Sequence, residues 1–222
     1  MRTFVKYLIA AALLYANTAI AAPPQASIPN PIKEVTPFAS ADELSVIGFF
    51  KFSCPICRNY HLPLEYWGKS LPPEFKYQFY PVIEGDATSA VSVDSARASM
   101  FFWAVERSGN RMQRAAFADN AYEVNLDFKT QDQMKSWADA VKKTEIQGSK
   151  FLSAWGEEEK VWADRAARQA HYKPTVTPTL VICGKWMISP DSTNGDQYLF
   201  MQLANGLVSK CMTEKGIQYR KR

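Results

Sequence analysis

Leu44-Ser45-Val46-Ile47-Gly48-Phe49-Phe50-Lys51-Phe52-Ser53-Cys54-Pro55-Ile56-Cys57 is the stretch on which the fold turns. An apolar run from Leu44 to Phe52 ends at two cysteines, and the residues after them, Arg58 to Trp67, suit a helix. A strand that delivers two cysteines to a helix start is redox geometry. Unpaired backbone N–H groups and the positive end of the helix dipole favour an anion at the first cysteine, so Cys54 is the candidate nucleophile. Pro55 suits the first helical position, where its missing N–H has no partner to lose. Cys57 falls one turn on, in reach of Cys54 for a small disulfide ring. Half of a zinc site and a disulfide that only staples a turn are the alternatives; neither accounts for the strand before and the helix after.

The chain start points to a compartment. Arg2 and Lys6 precede an apolar segment from Tyr7 to Tyr15, and Ala19-Ile20-Ala21 supplies small residues for cleavage after Ala21. This reads as a secretory signal peptide, since the apolar run falls short of the ~20 residues that span a bilayer. An exported chain, most simply a periplasmic one, meets conditions in which disulfides persist. Losing Arg2 and Lys6 lowers the basic count from 26 to 24 against 22 acidic residues, a net charge of only +2. That balance calls for neither nucleic acid nor an anionic membrane. The full sequence is 47% hydrophobic and 13% aromatic, and the roughly 200 residues left after cleavage can bury a full core. Pro23 to Pro37 reads as an extended arm.

Beyond the cysteines, Phe75 to Val82 alternates and suits a second strand, ended by Glu84-Gly85-Asp86. Ala-rich amphipathic segments then follow one another: Ser92 to Ser108, Met112 to Val124, Thr130 to Thr144 and Lys150 to Gln169. Strand character returns at Pro178 to Cys183; Gly184-Lys185 is expected to turn a hairpin into Trp186 to Ser189, and Gln197 to Lys210 forms a last helix. A thioredoxin-type α/β sheet interrupted by a helical insertion has this order.

The chain resembles the DsbA-like branch of the thioredoxin superfamily. The resemblance rests on Val46-Ile47-Gly48-Phe49-Phe50 leading into Cys54-Pro55-Ile56-Cys57, on Ala154-Trp155 and Ala166-Ala167 in the insertion, and on Thr177-Pro178-Thr179-Leu180 followed by Gly184-Lys185-Trp186. It implies a signal peptide (1–21), an arm (22–42), a thioredoxin domain in two parts (43–85 and 173–222) and a helical insertion (86–172). It also implies a cis Thr177-Pro178 bond facing the Cys54-Cys57 pair, where the residues alone favour an ordinary trans proline. The function implied is a monomeric periplasmic thiol:disulfide oxidoreductase without a cofactor, acting on cysteines of exported proteins. A membrane-bound redox partner would recharge it. Net oxidation is placed ahead of isomerisation, because no dimerisation domain precedes the thioredoxin unit. A reductase or isomerase, or a chaperone-like binding module with a redox switch, is the alternative.

Three positions depart from the strongest oxidants of that family. Ile56 replaces a histidine able to stabilise the thiolate, which implies a higher pKa for Cys54 than that pattern gives. Gly48 stands where a buried acid is frequent, so a proton acceptor for Cys57 is missing. Thr177 brings a hydroxyl to the loop beside the sulfurs. Lys51 reads as a solvated strand-end lysine.

Cys183 and Cys211 are the remaining cysteines. In an oxidising compartment a structural disulfide is expected, stabilising by roughly 3–4 kcal/mol in the chain-entropy model. A second functional dithiol or a four-cysteine zinc site is the alternative, zinc being poorer because only one close pair exists. His61, four residues after Cys57, reads as a partly exposed helix histidine without a role, an acid/base partner of Cys57 being the alternative, and His171 receives none. Trp155, Trp162 and Phe101-Phe102-Trp103 read as core, and Glu157-Glu158-Glu159 as a solvated face. No metal site and no nucleotide-binding loop are read.

Overall fold

A computed structural model describes residues 32–84, 90–126 and 133–218, without the side chains at 90–95, 97, 124–126, 133–136 and 158–162. The signal peptide, its cleavage site after Ala21 and the start of the arm lie outside the described residues, as does the side chain of Trp162.

Strand β2 (Ser45–Phe50) is the centre of the molecule, and all six of its residues are buried. Such a continuous apolar strand needs cover on both sheet faces. It pairs in parallel with β3 (Lys76–Pro81) and antiparallel with β4 (Thr179–Ile182). Strand β5 (Trp186–Ile188) adds to β4, and β1 (Lys33–Glu34) closes the edge, giving the order β1-β5-β4-β2-β3. The arm is therefore not wholly free chain: Lys33 and Glu34 oppose Met187 and Trp186, and Val35 N–H donates to the carbonyl of Lys185. Two residues are too few to show an alternating pattern, which is why the sequence reads as an arm there.

Helix α1 (Pro55–Ser70) crosses from β2 to β3. It contains Pro63, whose ring nitrogen cannot donate to the carbonyl four residues earlier. That carbonyl, on Asn59, instead accepts from Gln197 Nε2 at 3.4 Å, so the final helix completes α1. Among the described residues four helices lie between β3 and β4 in the chain: α2 (Ala90–Ser108), α3 (Arg111–Leu126), α4 (Gln133–Lys142) and α5 (Gly148–Tyr172). Helix α6 (Gln197–Glu214) follows the hairpin, capped by the Asp196 carboxylate accepting from Leu199 N–H.

Phe52 joins sheet to insertion. Its ring stands edge-on to Tyr122 of α3 (5.0 Å) and Trp137 of α4 (5.2 Å). Phe101 and Phe102 are buried in the same core, Trp155 packs edge-on to Phe101 at 5.0 Å, and the half-buried Trp103 ring lies under the Arg165 guanidinium. On the other sheet face Ile47, Phe49, Val181 and Met187 meet Tyr172 from the end of α5. That end is tied down by a buried polar cluster: the Asp42 carboxylate accepts from Arg168 Nη1 and from Tyr172 Oη (2.6 Å). His171 Nε2 bonds the Thr36 carbonyl at 2.8 Å.

The hairpin turn differs from the sequence expectation. It centres on Cys183 and Gly184, both at positive φ (55° and 60°), with Lys185 N–H donating to Ile182 C=O. A tight hairpin needs positive φ at both central positions. Gly184 is required for a second reason: a Cβ there would sit 2.7 Å from Pro37 of the arm. Cys183 pays the steric cost of its Cβ and is held by a disulfide to Cys211 of α6.

Candidate active site

The end of β2 aims the chain at the start of α1, so Cys54 becomes its N-cap. Cys54 has extended dihedrals (φ −106°, ψ 112°), Pro55 takes the first helical position, and Cys57 N–H donates to Cys54 Sγ at 3.1 Å. Both thiols are free; Cys54 is half-buried and Cys57 is buried. The Thr177–Pro178 peptide is cis. Thr179 Oγ1 donates to the Val176 carbonyl at 2.7 Å, which closes this loop against the start of β4. Cys54 Sγ stands 3.4 Å from the Thr177 carbonyl oxygen, to which the thiol can donate. Cys54, Cys57, Thr177 and Pro178 are thus brought together from segments 123 residues apart.

The two sulfurs are electrostatically unlike. The Cys54 thiol is drawn down to about 6, first by hydrogen bonding from the Cys57 side chain. Burial opposes this, and the Thr177 side chain and the N–H groups of Cys57 and Ile56 assist. The Cys57 thiol is pushed far upward, first by burial and then by Cys54. Near neutral pH the pair carries one thiolate, on Cys54, and one proton, on Cys57.

Ile56 is 49% exposed and Val176 42%, so apolar surface stands both beside the cysteines and on the loop that faces them. Val176 carries no sequence signal beyond preceding Thr177-Pro178. Lys51 is not a freely solvated lysine: its ammonium bonds Glu84 at 2.7 Å, and Glu84 also accepts from Ser53 Oγ at 3.2 Å.

Gly48 shows why no acid lies beneath the cysteines. A Cβ there would sit 2.4 Å from the Phe79 ring, which stacks on Phe50 at 4.2 Å between centroids. Phe79 fills the space a side chain at position 48 would need. His61 corrects the sequence expectation: it is only 6% exposed. Tyr122, from the insertion, covers it, with its Oη 3.2 Å from His61 Nδ1. Burial lowers the imidazole pKa to about 4, against a smaller opposing effect of Glu65.

These features define a thioredoxin-type sheet with a dithiol at the start of α1 and a cis-proline loop opposite it. No protein-family model matches the sequence, and no curated protein does. Solved structures do match. DsbA of Pseudomonas aeruginosa superposes with a TM-score of 0.67 at 18% identity, over 84% of this chain and 95% of that one. The oxidoreductase NmDsbA1 of N. meningitidis gives 0.64 at 18%, over 85% and 95%. A Proteus DsbA in complex with a non-covalently bound peptide, PWATCDS, gives 0.65 at 12%, over 83% and 97%. The chain has the DsbA-like fold, a thioredoxin fold carrying a helical insertion.

Proposed function

We propose that the protein is a periplasmic thiol:disulfide oxidoreductase that uses a Cys54–Cys57 disulfide to oxidise cysteines of exported proteins. The observation that carries this reading is the placement of Cys54, the half-buried N-cap of α1, whose sulfur accepts from Cys57 N–H and faces the cis Thr177–Pro178 loop; its thiol is drawn down to about 6 while the buried Cys57 thiol is pushed up. A low-pKa cysteine is a good leaving group and stabilises the reduced enzyme, which favours oxidation of the substrate.

A substrate thiolate attacks Cys54 Sγ, and the Cys54–Cys57 bond breaks. Its electron pair leaves on Cys57, which takes up a proton. A second substrate thiolate then attacks the substrate sulfur of the mixed disulfide and expels the Cys54 thiolate. The substrate loses two electrons and gains a disulfide; the enzyme is left reduced, and a membrane-bound partner reoxidises it. Ile56 and Val176 offer apolar contacts to an extended substrate beside the Thr177–Pro178 loop. The peptide bound to the Proteus DsbA contains a cysteine, which suits the same class of ligand. The protein acts as a monomer, and the disulfide between Cys183 and Cys211 is structural.

The test incubates the oxidised protein with a peptide holding two cysteines and follows loss of peptide thiols. Oxidation that vanishes in Cys54→Ala supports the reading. Protection of a cysteine-free exported protein from aggregation, retained in Cys54→Ala without peptide oxidation by the parent, would favour a binding module instead. Recovery of a chain beginning at Ala22 from the periplasmic fraction tests export.

A further inference from the structure

Cys54 enters helix α1 from a short turn, Lys51 to Ser53, and that turn is pinned from two directions. Phe52, at its middle, is buried in the core of the insertion, edge-on to Tyr122 at 5.0 Å and to Trp137 at 5.2 Å. Its neighbours on either side are tied to one carboxylate: Glu84 Oε1 accepts from Lys51 Nζ at 2.7 Å, and Glu84 Oε2 accepts from Ser53 Oγ at 3.2 Å. The turn in turn holds the cysteines. Cys54 N–H donates to the Lys51 carbonyl at 3.3 Å. Burial pushes the Cys57 thiol up, and hydrogen bonding from the Lys51 backbone is among the effects that oppose it.

Glu84 is itself placed by the insertion. Strand β3 lies at the edge of the sheet, where outward-facing backbone groups have no strand to pair with. Val82 N–H still donates inward to the Phe50 carbonyl at 2.8 Å. For Ile83 the partner is a side chain of α5: Gln169 Oε1 accepts from Ile83 N–H at 2.8 Å, and Gln169 Nε2 donates to Ile83 C=O at 2.7 Å. A planar amide that meets both backbone groups of one residue stands in for a neighbouring strand and fixes the direction in which the next residue, Glu84, leaves the sheet. The mount is firm, because Arg168, next to Gln169, and Tyr172 are both held by the buried Asp42 carboxylate.

We propose that Gln169 and Glu84 are positioning residues for disulfide exchange, forming a brace from α5 of the insertion to the turn that presents Cys54, an inference that rests on the exchange reading. Both act through the turn. Exchange requires the attacking sulfur, Cys54 Sγ and Cys57 Sγ to come into line. A turn free to swing lets Cys54 drift from that line and from the Cys57 N–H, 3.1 Å away, that stabilises its thiolate. The Lys51–Glu84 side chains are 32% and 33% exposed, and an ion pair this accessible adds little to stability. Loss of Glu84 therefore loosens the turn and leaves the fold standing.

The test breaks the brace at each end. Gln169→Leu removes the amide at the far end without changing charge, Glu84→Ala removes the link, and the surface variant Ser53→Ala removes one arm at the near end. Each oxidised variant is mixed with a peptide holding two cysteines and the second-order rate of thiol loss is measured; the Cys54 midpoint is read from thiolate absorbance against pH in the reduced protein. The expected result is slowing on the order of tenfold in Gln169→Leu and in Glu84→Ala, with an upward-moved midpoint in Gln169→Leu. The double variant is expected to be no slower than Glu84→Ala alone, because links in series are broken only once. Ser53→Ala supplies the same two readings where Gln169→Leu does not fold. Rates within about twofold of the parent together with the parent's midpoint overturn the brace, as does a double variant whose slowing is the product of the two single ones. A parent that leaves the peptide thiols intact overturns the exchange reading instead, and the Cys54 midpoint of the variants then decides the brace by itself.

Discussion

Cys54 Sγ and the carbonyl oxygen of Thr177 lie 3.4 Å apart, which joins the helix start to the cis-proline loop at the reacting sulfur. The Thr177 side chain also draws the pKa of both cysteines down. Thr177→Val keeps the shape and the carbonyl but removes the hydroxyl. The Cys54 midpoint is expected to move upward from about 6, read from thiolate absorbance against pH. The same change makes the pair a weaker oxidant, because a higher pKa stabilises the reduced form less. A midpoint that stays in place or falls would contradict the role given to the hydroxyl.

His61 carries a pH signature in stability. Unfolded, it takes a proton below 6.5; folded, only below about 4. Between those values the unfolded chain binds more protons, so this residue's contribution to stability is lost as pH falls. Glu106 has the opposite sign, because its folded pKa is raised to about 7. It is common to the parent and to His61→Phe and cancels in their difference. Urea unfolding from pH 7 to 4 is expected to show that difference shifting by about 3 kcal/mol in favour of the variant as pH falls. Parallel curves would mean an imidazole that titrates normally.

Gly48→Ala tests the space that Phe79 occupies. Its Cβ would have to displace a ring stacked between β3 and β2, and overpacking of this kind costs about 1–3 kcal/mol. Chemical denaturation should show that loss. A stability equal to the parent's would show that the strand and ring can separate freely.

Replacing Cys183 and Cys211 together by alanine opens a loop of sequence separation 28. The chain-entropy model assigns such a crosslink roughly 3–4 kcal/mol. The double variant is expected to lose stability of that order while Cys54 keeps its low midpoint, which thiolate absorbance reports. A lost midpoint in a folded variant would tie this disulfide to the active site.

The elements that position the dithiol are local and were legible in the sequence. Cys54 as N-cap, Pro55 behind it, the succession of helices and the return of strand character at Thr179 each depend on neighbours in the chain. What was not legible depends on distant partners. Asp42 meets Arg168 across 126 residues, and His61 is buried between Phe50 and Phe79 of the sheet and Tyr122, 61 positions on. Cys183 in the hairpin turn and Pro63 inside α1 contradict local propensity, and each is offset by α6, through Cys211 and through Gln197. The three departures at Gly48, Ile56 and Thr177 were visible as residues. The ring that excludes an acid at position 48 was not.

The reduction potential of the Cys54–Cys57 pair, titrated against a glutathione redox buffer with the disulfide between Cys183 and Cys211 intact, tests the central claim most directly. A single two-electron transition is expected between about −180 mV and about −120 mV, oxidising but short of the strongest oxidants, because Ile56 leaves the Cys54 thiolate without a histidine donor. A value near about −200 mV or below would contradict it and point to a reductase or isomerase kept reduced by a partner.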